Sequence, residues 1–416
     1  MSSWNEPANI VVACARGLGP YAAQELTQLG YTIGDASETM VSVRGTLLDT
    51  MALNLWLRSA HRVLWPLATA RARNLDELYA AVKNIAWEEW LDPAGYFTVN
   101  SAVWNETILD TRMPSLRTKD AIADRMRETC GRRPDAGSEF SGAAVFVYWR
   151  EQEVRIYLDT TGEPLSKRGY RKLPGKAPMQ ETLAAACVLA ARWDVSTPFV
   201  VPMCGSGTPA IEAALIARNR APGILRERFT FMGLKGYRDA ESIAEPNMEP
   251  STVTPQSIWI ALRSEARKGE RTTGLPPIIA TDIDPQAIVI SKQNAEAAGV
   301  LEDLEFDVCD FAYTRIPVQP GVVFLNPEYG ARMGDAATLE PIYARIGDFF
   351  KQRCSGWRGF VFTGNMELSR KIGLRSICRK IFFNGPIECR LVGFEMYDGT
   401  RRKEKPAADE AGATGS

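Results

Sequence analysis

The 416-residue sequence predicts two architectures in series, an α+β amino-terminal region followed by a doubly wound α/β domain. Three features point there. Residues 199–210, Phe-Val-Val-Pro-Met-Cys-Gly-Ser-Gly-Thr-Pro-Ala, read as an apolar strand, a glycine turn and the start of an alanine-rich helix. Downstream, apolar strand-like runs alternate with amphipathic helical segments. Upstream, short strands and helices alternate without any phosphate-loop or nucleophile signal.

In order, residues 9–14 read as a strand that Gly17 and Gly19 turn into a helix closed by Gly30. Strands near 31–33 and 40–43 precede a helix over 47–59 with a Leu and Trp stripe. Residues 63–72 alternate like a strand, Asn74 caps the next helix, and 96–102 are strand-like again. A helix over 118–130 carries basic residues along one face, and strands 143–149 and 154–159 flank a polar turn. Residues 160–178, with Gly162, Pro164, Gly169, Pro174, Gly175 and Pro178, have the composition of a linker. After the opening strand and helix, Pro246, Pro250 and Pro255 predict an exposed excursion over 240–256, then a helix. Strands at 277–281, 304–308 and 321–325 follow, and two helices and three late strands complete the sheet. Residues 403–416 read as disordered.

Composition excludes several classes. No stretch approaches the roughly 20 apolar residues of a membrane span, and the start lacks a signal-peptide layout, so a cytoplasmic protein is expected. Eight cysteines stand singly and His61 is the only histidine, which argues against a zinc site or a disulfide framework. A Ser–His or Cys–His nucleophile would have to use His61, and nothing nearby completes such a site. Net charge is −1, but two basic clusters stand out, 112–133 and 165–176, the second holding Tyr170 among its cations. They point to nucleic acid, with Lys119, Arg125, Lys167, Arg168, Arg171 and Lys172 as expected phosphate contacts.

The glycine turn alone says only that a nucleotide-like cofactor binds. A nicotinamide enzyme would need an acid about 20 residues on, at the end of a strand, and a P-loop would need Lys-Ser/Thr after the glycines. Neither is present. What fits is a series of strand ends: the glycine loop, then Asp282, Asp310 and Asn326, which a doubly wound sheet brings to one crevice. Asp282 is placed to accept from ribose hydroxyls and Asp310 from an adenine amine. In Asn326-Pro327-Glu328-Tyr329, the Asn side-chain oxygen and the proline carbonyl can both accept from one exocyclic amine. That draws the amine lone pair out of conjugation, while Tyr329 offers a face for a planar base. The chemistry is methyl transfer from S-adenosylmethionine, which needs alignment more than acid–base help.

With these motifs in place, the chain resembles a known family. The Pro-Met-Cys-Gly-Ser-Gly-Thr, Thr-Asp-Ile-Asp-Pro and Asn-Pro-x-Tyr-Gly segments look like Rossmann-like class I S-adenosylmethionine-dependent methyltransferases acting on exocyclic amines. CARGLGPYAAQEL, TKDAIADRMRE and LDTTGEPLSKRGYR resemble a ferredoxin-like segment plus a THUMP RNA-binding domain. NGPIECRL is similar to the close of the bacterial 23S rRNA guanine-N2 methyltransferases. The resemblance implies a ferredoxin-like segment over 1–70, THUMP over 71–165, a methyltransferase domain over 166–402 and a tail over 403–416. It implies cofactor contacts from Pro202, Cys204, Gly205, Ser206, Gly207, Thr208, Asp282, Ile283 and Asp310, and catalysis by Asn326, Pro327, Glu328 and Tyr329. RNA is the implied partner, 23S rRNA first and tRNA as the alternative, with no membrane and no metal. Two positions depart from the family pattern: Val201 stands where an Asp is usual, and Glu328 where the tetrad has a second Pro. They leave open a second outcome, an RNA-binding relative without catalysis.

Overall fold

Two β-sheets organise the residues described by the computed structural model, 2–106, 108, 110–171, 179–237, 254–329 and 335–397. The first holds β1 (Ala8–Cys14), β2 (Ile33–Ala36), β3 (Met40–Gly45), β4 (Ala60–Arg71), β5 (Tyr96–Trp104), β6 (Asp135–Gly137), β7 (Ala143–Arg150) and β8 (Glu153–Asp159). Their order is β2-β3-β1-β4-β8-β7-β5-β6. The 12-residue β4 joins the two halves: its first part pairs with β1 and its second, from Leu64 to Arg71, with β8. The helices Leu75–Lys83 and Met113–Cys130 belong to the second half. Asn74 caps the first by accepting from the N–H groups of Asp76 and Glu77. The second buries Ala121, Ile122 and Met126 and ends at Gly131, whose positive φ of 70° suits a residue without Cβ. The predicted helix over 47–59 is shorter, Asp49–Trp56, and leads directly into β4.

His61 lies on β4 and is structural. Its Nδ1 is buried without a hydrogen-bond partner among the described residues. Burial, reinforced by the Arg62 charge, lowers its pKa to about 4. Above pH 6.5 the imidazole is neutral folded or unfolded. As pH falls below 6.5 the unfolded chain takes up a proton that the folded chain refuses. The stability loss therefore grows from pH 6.5 to about 4 and amounts to about 3 kcal/mol. His61→Gln is expected to remove that share of the acid destabilisation, measured by urea unfolding at pH 7.5 and 4.5. An unchanged pH dependence would contradict the assignment.

The stretch expected to be a linker is not one. Thr160, Thr161, Ser166, Arg168 and Tyr170 are all buried, and Arg226 donates to the carbonyls of Thr161 and Pro164. Most of residues 160–171 is buried, with Lys167 and Gly169 exposed, and 172–178 lie outside the described residues. Glycine and proline counts register backbone freedom but not the distant side chains that fill in around it.

The second sheet contains β9 (Phe199–Pro202), β10 (Ile278–Asp282), β11 (Leu304–Val308), β12 (Val322–Leu325), β13 (Arg358–Thr363), β14 (Cys378–Asn384) and β15 (Ile387–Glu395). The order is β11-β10-β9-β12-β13-β15-β14, with β11 to β13 parallel across β9 and β15 antiparallel to both neighbours. β9 and β12 are buried throughout, as strands covered by helices on both faces must be. The chain order crosses from β11 on one side of β9 to β12 on the other, which opens a crevice at the carboxyl ends of β9 and β12. This is the α/β arrangement expected from the sequence. The predicted excursion over 240–256 falls largely outside the described residues, while its helix is present as Pro255–Lys268. The predicted tail, 403–416, also lies outside them. No helix among the described residues is long and apolar enough to cross a membrane.

Candidate cofactor and amine site

Residues 203–208 leave β9 through three left-handed backbone positions, Met203 (φ 63°), Gly205 (56°) and Gly207 (81°). At Gly207 a Cβ would meet Ser291 at 3.0 Å, so both conformation and space call for glycine. The helix Thr208–Ala217 starts directly after it. The loop is held from below by β10 and the helix Pro285–Ala298. Cys204 N–H donates to Thr281 O at 2.9 Å, and Gly205 N–H donates to Asp282 Oδ2 at 2.9 Å. Ser291 Oγ donates to Gly205 O at 2.7 Å and Asn294 Nδ2 to Ser206 O at 3.0 Å. Ser291 and Asn294 are buried polar residues that the sequence reading missed. Their signal was available, since two polar residues three apart faced the same way on an otherwise small-residue helix surface.

Asp282 ends β10, half-buried, and its Oδ1 also accepts from the Asp284 N–H at 3.0 Å. Ile283 follows, 70% exposed and open to a ligand face. Asp284 caps the helix instead, accepting from Gln286 N–H. Asp310 sits just past β11. Its Oδ1 accepts from Ala312 N–H at 3.0 Å and from Arg345 Nη2 at 2.7 Å. Partial burial would raise the pKa of this carboxyl, but Arg345 and the backbone N–H outweigh it and hold it below the usual value. Arg345 also lies 4.9 Å over the Phe311 ring. Oδ1 is thus occupied twice, and Oδ2 has no hydrogen-bond partner among the described residues. Pro202, Cys204 and Thr208 are buried, while Gly205 is exposed and Ser206 half-buried. Cys204 is lifted to about pKa 12 by burial, so it acts as a packed thiol and not as a nucleophile.

Asn326 and Pro327 follow β12 immediately. Asn326 Oδ1 is buried and has no hydrogen-bond partner among the described residues, an unusual state for an amide oxygen. Pro327 is buried and Glu328 exposed. Tyr329 is anchored: Asn384 Nδ2 donates to its Oη at 2.9 Å, and its ring lies where a Cβ on Gly364 would come within 2.9 Å. Burial raises its pKa, which keeps the phenol neutral. Tyr343 Oη donates to the Glu328 carbonyl at 3.3 Å, fixing the backbone of the tetrad. Val201 is fully buried on β9, and no acid replaces it on the strand.

Two of the basic residues are placed differently from expectation. Arg168 is 1% exposed and cannot meet a phosphate from solvent. It bonds Glu212, the Leu165 carbonyl and the Arg58 carbonyl, and Tyr170 Oη donates to the same Glu212. Glu212 lies on the helix that follows the glycine loop, so a local count of charges could not see it. Arg171 is likewise turned inward, onto Glu181, Met179 and Thr208. Lys167 is exposed and pairs with Glu163, Lys119 donates to the Gly137 carbonyl, and Arg125 pairs with Glu88. Lys172 lies outside the described residues.

The donors and acceptors along this edge fit an adenosyl cofactor: a bent loop without side chains at two positions, a carboxylate at the second strand end, and at the third a carboxylate oxygen without a partner among the described residues. Among the described residues no group of three His, Cys, Asp or Glu is arranged to hold a metal.

Comparison with known proteins agrees in order along the chain. The RlmL ferredoxin-like domain matches residues 9–64, the THUMP domain 72–159, and the RMKL-like methyltransferase domain 168–393. The Synechocystis protein slr0064, which bears an RNA methyltransferase name, is 34% identical over 92% of this chain and 95% of its own length. Ribosomal RNA large subunit methyltransferase K/L of Syntrophotalea carbinolica is 35% identical over 94% of this chain but only 54% of its own length, so the chain spans about half of that relative. Among solved structures, SMU.472 complexed with SAH superposes with a TM-score of 0.81 at 26% identity, covering 95% of this chain and 100% of that one. The chain belongs to the RMKL-like methyltransferase family, its transferase domain preceded by RlmL-type ferredoxin-like and THUMP domains.

Proposed function

We propose that this methyltransferase acts on RNA, taking its methyl group from S-adenosylmethionine and placing it on the N2 amine of a guanine in 23S rRNA. The observation that carries the site assignment is the orphaned Asn326 Oδ1 at the end of β12. Asn326 and the Pro327 carbonyl accept from the guanine amine and turn its lone pair toward the sulfonium methyl, while Tyr329 stacks the base flipped out of the RNA. Gly205, Gly207, Asp282 and Asp310 hold the cofactor, with Ile283 against its adenine. Bound there, S-adenosylmethionine would supply the methyl carbon to the nitrogen, its sulfur keeping the electron pair of the broken bond as S-adenosylhomocysteine, and the excess proton would go to solvent. The ferredoxin-like and THUMP domains hold the RNA by shape and backbone. The names of the relatives support RNA, and for the K/L proteins ribosomal RNA.

Nucleoside mass spectrometry of rRNA and tRNA from a deletion strain tests the substrate. Loss of one N2-methylguanosine from 23S rRNA is expected, and loss confined to tRNA would move the substrate there. Val201 and Glu328 favour a second outcome, an RNA-binding relative without catalysis. Calorimetry with S-adenosylmethionine decides against the enzyme if no binding is measurable.

A further inference from the structure

The Tyr329 hydroxyl is held from the β14–β15 hairpin. Asn384 Nδ2 donates to it at 2.9 Å, and Cys389 on β15 lies beside the same oxygen. Asn384 is the last residue of β14 and pairs with Ile387 across the turn Gly385-Pro386, where Gly385 takes a φ of 60°. A turn this short leaves Asn384 no freedom apart from that of the strand. Ile387 and the Tyr329 ring also crowd one glycine: a Cβ on Gly364 would lie 3.0 Å from the first and 2.9 Å from the second.

β14 is the last strand of the second sheet, and the amino-terminal segment lies along it. Tyr21 stacks on Phe382 with ring centroids 5.4 Å apart and planes 18° from parallel. The Arg16 guanidinium sits 4.2 Å over the Phe383 ring, and Lys380 Nζ lies 5.8 Å from the Tyr21 ring. At Gly17, with φ 85°, a Cβ would meet the Ile381 carbonyl oxygen at 3.2 Å, so glycine lets this loop approach the strand backbone. The loop is itself pinned, since the N–H groups of Gly17 and Gly19 both donate to the Glu38 carbonyl at 3.1 Å. Four consecutive residues of β14, 380–383, thus meet residues 16, 17 and 21 immediately before Asn384.

We infer that Asn384 is a positioning residue for methyl transfer: it sets the Tyr329 ring against the base, and the Arg16–Tyr21 segment sets Asn384 through β14. The inference rests on the role given to Tyr329 above. The amino-terminal region then shapes the crevice as well as gripping RNA. Orientation of the base acts on the rate at saturating RNA, whereas RNA affinity comes from contacts outside the crevice.

The test is a double-mutant cycle on the full chain, read as single-turnover transfer of labelled methyl at saturating RNA. The acceptor is whichever of protein-free 23S rRNA or tRNA the parent methylates. Asn384→Leu keeps the size and removes the donor; Tyr329→Phe keeps the ring and removes the hydroxyl. Each should slow transfer roughly three- to tenfold, the range for one hydrogen bond, and the double variant should be no slower than either. Tyr21→Leu should slow transfer about threefold in the parent and by less than about 1.5-fold in the Asn384→Leu background. Affinities for S-adenosylhomocysteine and RNA should stay within about twofold throughout, which also shows that the variants fold. An unchanged rate in Asn384→Leu, or effects of Asn384→Leu and Tyr329→Phe that multiply, would overturn the inference. Affinities that fall in step with the rate would overturn it in favour of a general structural role. No effect of Tyr21→Leu, or one that multiplies in full with Asn384→Leu, would overturn the link to the amino-terminal segment. If the parent methylates neither RNA, the functional reading itself fails, a result distinct from any of these.

Discussion

Asn326→Ala is expected to lower the methyl-transfer rate by on the order of 10²–10³-fold while cofactor and RNA affinity stay within about threefold. The size follows from where the contact acts. Asn326 Oδ1 is buried with no hydrogen-bond partner among the described residues, so loss of that oxygen breaks no hydrogen bond among them. What is lost is the acceptor that strips the amine of conjugation, a contact that strengthens as nitrogen becomes the nucleophile and so acts on the rate more than on binding. Single-turnover transfer of labelled methyl, together with direct binding of each ligand, separates the two effects. An affinity loss as large as the rate loss would make Asn326 a binding residue only.

The largest effect on stability is expected at Glu212. Glu212→Gln removes the carboxylate that faces both Arg168 and the Tyr170 hydroxyl in a site where Glu212 is 0% and Arg168 1% exposed. Leaving a buried charge unanswered costs about 3–5 kcal/mol. The double change Arg168→Met with Glu212→Leu should recover part of that loss, because it leaves no orphan charge, while the Tyr170 hydroxyl and the Leu165 and Arg58 carbonyls still lose their partner. Urea unfolding of the single and double variants measures both quantities. A single variant within about 1 kcal/mol of the parent would contradict the buried-pair assignment. The pair also has a mechanical position: Arg168 reaches the Arg58 carbonyl in the amino-terminal region, and Arg58 Nη2 reaches the Arg220 carbonyl in the transferase domain. The helix that begins at the glycine loop is thereby tied to the first sheet.

The crevice was legible in the sequence because each of its parts is local. A strand, a glycine turn and a helix occupy one short stretch, and Asp282, Asp310 and Asn326 each sit within two residues of a strand end. Parallel register then brings them together without further information. The basic stretch 165–176 misled for the complementary reason. Within that window no acid appears, yet Arg168 meets Glu212 and Arg171 meets Glu181, partners that folding supplies from other helices. Arg345, which orients Asp310, carries no motif at all, since a single long polar side chain on a helix looks the same whether it serves solvent or a neighbour, and Asn384 opens the NGPIECRL segment without anything there naming Tyr329 as its partner. Gly364 is a further case: it matters because the Tyr329 ring lies against it, a relation visible only in three dimensions.

The central claim is that the crevice methylates the N2 amine of a guanine, and incubation of the purified chain with methyl-labelled S-adenosylmethionine and 23S rRNA stripped of protein tests it most directly. Digestion to nucleosides and mass spectrometry should place the label in N2-methylguanosine, with the signal lost in Asn326→Ala. Label in N6-methyladenosine, or no transfer from a protein that binds S-adenosylhomocysteine, would contradict it.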